Sequence, residues 1–219
     1  MQYKQKLEIL IAELKSNPKI DLISAKISPG LDEKSLQSLL DEKINKHKLT
    51  LPDGFVELYK EMNGFQISWK PKKEVFIDSE EEKEYWNLDV CFCEFLPLQQ
   101  VLINSAEEMY WGDDEKELKF AFQFLIDYET EMQGTWLLAT EKKLEMYYID
   151  NQGEDVRKLK YDFNHFFDLL IASRCFFCWQ ETILPKVESL QDFVSEEFSK
   201  WMPFLFKDFQ NDLFNRPHK

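Results

Sequence analysis

The chain has 219 residues, which suits one domain with extensions or at most two small ones, and its 44% hydrophobic and 15% aromatic content allows a sizeable core and excludes global disorder. Its net charge of −14 disfavours direct binding to a nucleic-acid backbone or to an anionic membrane, because both need a basic face; a basic protein is the natural complement. The charge is concentrated: residues 74–117 hold 2 Lys against 14 Asp or Glu, whereas residues 1–73 hold 13 Lys against 10.

The chain opens on a helical stripe, Leu7, Leu10, Ile11 and Leu14, that Asn17-Pro18 should stop. Ser28-Pro29-Gly30 reads as a loop, and Leu36, Leu39, Leu40 and Ile44 form a second stripe with Lys46 to Lys48 at its C-terminal end. The stretch LPDGFVELYKEMNGF follows. Pro52 suits a first helical turn, Phe55, Leu58, Tyr59 and Met62 keep helical spacing, and Asn63-Gly64 suits a left-handed helix stop. Beyond it the period changes. Phe65, Ile67 and Trp69 alternate, as do Val75 and Ile77, so strands are predicted; VCFCEFLPLQQV reads as a strand entering a Pro97 turn. LKFAFQFLID, GTWLLAT and LEMYYID are further strands, the last two joined by a hairpin at 140–143, and Asn151-Gln152-Gly153 is a turn. Asp162 should cap a Phe-rich helix that runs on to Pro185 and encloses Cys175 and Cys178; a last helix over VESLQDFVSEEFSKW should break at Pro203. Helices, then strands, then helices predict an α+β fold, a mostly antiparallel sheet flanked by helices. No apolar run approaches the roughly 18–20 residues of a membrane span, and no signal-peptide core follows Met1, so a cytoplasmic protein is expected.

Residues that carry chemistry are sparse. Cys91-x-Cys93 and Cys175-x-x-Cys178 offer four thiols, but on an apolar strand and inside a Phe-rich helix they read as small core residues rather than zinc ligands or a redox turn. His47, His165 and His218 fall in no hydrolytic or metal-binding motif, and six glycines leave little room for a phosphate-cradling loop. No catalytic, cofactor or metal residue is therefore assigned.

Leu51, Pro52, Phe55, Leu58, Tyr59, Met62, Asn63 and Gly64 together resemble the signature of the SUKH superfamily, which groups a yeast cell-wall assembly regulator with many bacterial immunity proteins. Phe95 to Val101 and DFNHFFDLLI resemble its later strand-and-turn element and closing helix. IDYETEMQGTW lacks the Gly-Asp turn the family often carries, and residues 185–219 go beyond its usual core. The resemblance covers roughly residues 30–184 and implies a SUKH-like domain that takes in the N-terminal helices, over 1–184; the aromatic tail, Phe204, Phe206, Phe209 and Phe214, predicts a C-terminal helical extension over 185–219 packed on the same domain. The resemblance also implies no enzymatic activity and a role as an antidote to a toxin domain, often a nuclease; the alternative is a regulatory or scaffold module of the same fold.

On that reading function lies in surface charge. The candidate partner-binding residues are Asp78, Glu80, Glu81, Glu82, Glu84, Glu107, Glu108, Asp113, Asp114, Glu115 and Glu117, with Tyr85, Trp86, Tyr110 and Trp111 beside them. Carboxylates steer a basic toxin domain and aromatics anchor it. The same acids would equally suit an ordinary solvated surface, and the aromatics a core. A monomer with no direct nucleic-acid or membrane contact is expected.

Overall fold

A computed structural model describes residues 2–76, 90–106, 118–127, 134–150, 155–184 and 191–214. Its elements in chain order are α1 (Tyr3–Ser16), β1 (Ile20–Pro29), α2 (Glu33–Lys43), a 3-10 turn (Asn45–His47), α3 (Phe55–Glu61), β2 (Met62–Pro71) and a 3-10 turn (Lys73–Phe76). Then come β3 (Cys91–Phe95), a short α4 (Leu98–Val101), β4 (Phe120–Ile126), β5 (Gly134–Ala139), β6 (Glu145–Asp150) and β7 (Asp155–Lys158). The chain closes with α5 (Phe163–Ala172), a 3-10 helix (Trp179–Ile183), α6 (Gln191–Leu205) and a 3-10 turn (Asn211–Leu213). The fold is α+β. The strands form one antiparallel sheet in simple chain order, β1 to β7.

One row of registered residues crosses all seven strands: Ile27, Phe65, Phe95, Leu125, Thr135, Tyr148 and Arg157. It faces the helices and changes character along its length. At its centre Phe95, 1% exposed, meets Phe65 of β2 (5.6 Å between ring centroids), Phe124 of β4 (5.3 Å), Tyr59 of α3 (5.9 Å) and Phe163 of α5 (6.2 Å). Toward β7 the row turns polar: Gln180 donates to Thr135 at 3.2 Å, and Arg157 pairs with buried Glu181 at 2.8 Å. The 3-10 helix after α5 is thereby tied to the sheet by polar groups where the aromatic layer ends. A smaller cluster, Ala121, Trp136, Leu138 and Ile149, fills the opposite face of β4 to β6.

The α1, α2 and α5 stripes fold as their spacing predicts, and Asp162 caps α5 by accepting from the His165 backbone N–H at 2.8 Å. Other expectations are corrected. Residues 28–30 are no simple loop, because β1 continues to Pro29; bulges between Leu22 and Ser24 and between Ile27 and Pro29 break the alternation that would have revealed a strand. Val75 lies in a 3-10 turn, not a strand; Ile77, the Asn151-Gln152-Gly153 turn and Pro185 lie outside the described residues. β7 was not anticipated. α5 stops at Ala172, so Cys175 and Cys178 sit in a turn in which Arg174, Cys175 and Cys178 all take positive φ. α6 passes through Pro203 to Leu205. Pro203 is exposed and lies in the last turn, so its missing N–H and its ring disturb only the end of the helix.

Arg174 ties the C-terminal segment to the rest. Its guanidinium meets Glu13 of α1 at 3.1 Å and Asp208 at 3.4 Å and lies over the rings of Phe206 and Phe209, while its carbonyl accepts from Trp69 Nε1 at 2.6 Å. Phe198, Trp201, Met202, Phe206 and Phe214 are buried in the same core as the domain.

Two substitutions weigh these contacts, both read by urea unfolding. Phe95→Ala should cost about 3–5 kcal/mol, since it leaves a cavity among the rings of Phe55, Tyr59, Phe65, Phe124 and Phe163. Arg174→Ala should cost about 2 kcal/mol through lost packing and an orphaned carboxylate, whereas Asp208→Asn should stay within about 0.5 kcal/mol because Asp208 is 76% exposed.

Candidate functional site

The motif stretch builds scaffold. Phe55, Leu58, Tyr59 and Met62 are fully buried, and Leu51, Pro52 and Asn63 are half-buried. Two details of the sequence reading are corrected. Pro52 lies in a turn ahead of the helix, which starts at Phe55 after Gly54 in the left-handed region; its carbonyl accepts from Phe55 N–H at 3.2 Å. Asn63-Gly64 does not stop the helix in a left-handed cap, because the chain is already extended at Met62. Instead the pair receives the next corner of the fold. Asn63 Oδ1 accepts from Leu98 N–H at 2.9 Å at the start of α4, and Gly64, at φ +90, leaves room for the Phe95 carbonyl, which an added Cβ would approach to 2.5 Å. Sequence alone places Asn-Gly at a helix end with equal ease, so only the partner strand distinguishes the two roles.

All fifteen candidate partner-binding residues, from Asp78 to Trp86 and from Glu107 to Glu117, lie outside the described residues. Their flanks are described. Pro71 at the end of β2 is followed by the Lys73–Phe76 turn, and Val90 leads into β3, whose Cys91 sits opposite Trp69. For the second stretch, Ser105 N–H donates to the Ala121 carbonyl at 3.0 Å, and Asn104 Oδ1 accepts from Ala121 N–H at 2.8 Å while its Nδ2 donates to the Lys119 carbonyl at 3.1 Å. Asn104 thus stitches the loop leading into the stretch to the strand leading out. Because β2, β3 and β4 are antiparallel neighbours, the end of β2 and the start of β3 share one end of the sheet, and the start of β4 lies at the other. The flanks of the two acidic stretches are therefore anchored at opposite ends. Sequence reasoning missed Asn104, whose only signal was an Asn before an acidic run.

At the side of the motif helix, α1, α3 and α5 enclose an open groove of about 570 Å³ lined by Gln2, Tyr3, Gln5, Lys6, Gly54, Glu57, Glu61 and Asn164. Tyr3 OH donates to Asn164 Oδ1, Lys6 pairs with Asp168, and Glu61 accepts from Lys4 N–H at 2.9 Å. Partial burial, with the nearby carboxylates of Glu57, Glu61, Asp168 and Asp162, pushes the Tyr3 phenol from its ordinary 10.0 up to about 12.

The remaining candidates are placed as follows. Cys91 and Cys93 are buried on β3, and Cys93 lies against Cys175. The His165 ring packs edge-on against Tyr161, and the His47 ring lies 5.2 Å from Phe120. Among the described residues there is no group of three or more His, Cys, Asp or Glu placed to hold a metal ion, and no helix long and apolar enough to cross a membrane. No protein-family model matches the chain, and comparison with curated proteins and with solved structures returns no significant match.

The groove carries a pH prediction. Tyr3 is raised in the folded state, so its contribution to stability is whole below pH 10.0 and is lost as pH rises through about 12. NMR of ring-labelled tyrosine should show one phenol, absent in Tyr3→Phe, ionising near pH 12, and the variant should lose less stability than the parent across that window.

Proposed function

We propose that this chain is a non-enzymatic protein-binding domain that acts in the cytoplasm as a bacterial immunity protein, neutralising a cognate toxin domain by covering it. One observation carries the reading: residues 74–117 hold 14 Asp or Glu against 2 Lys, gathered in two stretches within the β2–β3 and β3–β4 connections. Those stretches account for most of the net charge. The resemblance of Leu51–Gly64 to the SUKH signature supports it from a second side, and the burial of that motif leaves recognition to the surface.

The physical logic is complementary charge. A toxin that grips phosphate must expose Lys and Arg. Carboxylates presented to those side chains raise the encounter rate, and Tyr85, Trp86, Tyr110 and Trp111 supply the aromatic anchors that slow dissociation. Occlusion then needs no chemistry from the inhibitor.

The test is capture of the tagged chain's partners from its own host at low and moderate salt, followed by growth rescue on co-expression with the captured protein. The expected result is one basic partner whose toxicity is relieved one-to-one. Reversing Asp113 and Asp114 to Lys should slow association about tenfold at low salt and have much less effect at high salt. Several partners of moderate affinity, held equally well by the reversed variant, would instead identify a regulatory scaffold module.

A further inference from the structure

We propose that Cys93 and Cys175 form a buried dithiol that hydrogen peroxide closes into a disulfide, stapling β3 to the joint from which the C-terminal segment departs. The two thiols interact directly, from strand and turn respectively, and both are essentially inaccessible, at 1% and 0% exposure. Their juxtaposition is held from both sides. Cys93 is registered opposite Ile67, one step along the sheet from Trp69 opposite Cys91, and Trp69 Nε1 holds the Arg174 carbonyl at 2.6 Å. The turn is therefore pinned over β2 and β3 at the residue preceding Cys175.

The turn is also unusual in its backbone. Arg174, Cys175 and Cys178 have φ of +55, +57 and +51, a region that residues with a Cβ rarely occupy. Its surroundings hold it there, notably the Arg174 contacts with Glu13, Phe206 and Asp208. A crosslink at Cys175 would make that geometry covalent and fix the joint on which the C-terminal segment depends. Burial, then contact with Cys175, pushes the Cys93 thiol well above its usual range, so the pair stays reduced until the turn opens to a small oxidant.

The chemistry balances. One sulfur attacks the peroxide O–O bond; the bond breaks, the thiol proton ends on the departing oxygen as water, and a sulfenic acid remains. The second sulfur attacks the sulfenic sulfur, the S–S bond forms, the S–O bond breaks, and the second thiol proton leaves with that oxygen as another water. The two sulfurs together lose two electrons, and the peroxide oxygens gain them.

The experiment uses the full chain, reduced and then treated with hydrogen peroxide, mapped by mass spectrometry of non-reduced peptides and followed by thermal unfolding. A Cys93–Cys175 crosslinked peptide is expected, with Tm raised by about 5 °C and restored by dithiothreitol. Cys175→Ala should lose both the crosslink and the Tm rise, and Cys91→Ala should keep both. Recovery of four alkylatable thiols after peroxide, oxidation to sulfinic acid without a crosslink, or a different cysteine pairing would overturn the proposal. If Cys175→Ala does not fold, the peptide map of the unsubstituted chain decides alone.

Discussion

Everything in this fold depends on how β3 meets β4. The register between them spans Glu94 opposite Ile126 and Phe95 opposite Leu125, after which Leu96 N–H reaches the Phe124 carbonyl at 2.9 Å. This joint links the β1–β3 half of the sheet to the β4–β7 half. Phe95 occupies it and packs against rings from both halves and from two helices. Gly64 lets the Phe95 carbonyl approach from one side, and the bulge between Gln123 and Leu125 lets both Phe124 and Leu125 serve the core from the other. A short hydrogen-bonded seam is thus reinforced by side-chain packing, where aromatic pairs add to simple area burial.

The short seam has a second consequence. Past Phe95 the chain turns into α4, and the segment from Asn104 to Ser105 bonds to Ala121 near the start of β4. That places the exit and return of the second acidic stretch at the end of the sheet opposite to those of the first, which leaves β2 and enters β3. The motif residues contribute by holding the corner at Leu98 through Asn63.

Buried polar groups occur where segments must be located, not merely covered. Arg157 with Glu181, Gln180 with Thr135, and Arg174 with Glu13 each fix an irregular segment against a regular one. Such pairs add little net stability once desolvation is counted. Their directional bonds favour one docking of the 3-10 helix and one of the C-terminal segment, a distinction that nonspecific apolar burial would not make.

By itself the sequence determined the α+β class, the stripes of α1, α2 and α5, the Asp162 cap and most strands, because each follows from local periodicity or a single side-chain hydrogen bond. It also determined where the negative charge lies along the chain. It did not reveal β1, whose bulges scramble its alternation, or the end of α5 at Ala172, since an apolar run such as ASRCFFCW carries no breaker. The true use of Asn63-Gly64 and of Asn104 was invisible for a different reason: their partners, Phe95, Leu98 and Ala121, are far along the chain. Only the tertiary structure could decide that the Cys93 and Cys175 thiols meet and that the flanks of two separate acidic stretches stand at opposite ends of the sheet. Those are consequences of strand order and register, which depend on contacts distant in sequence and not on local propensity.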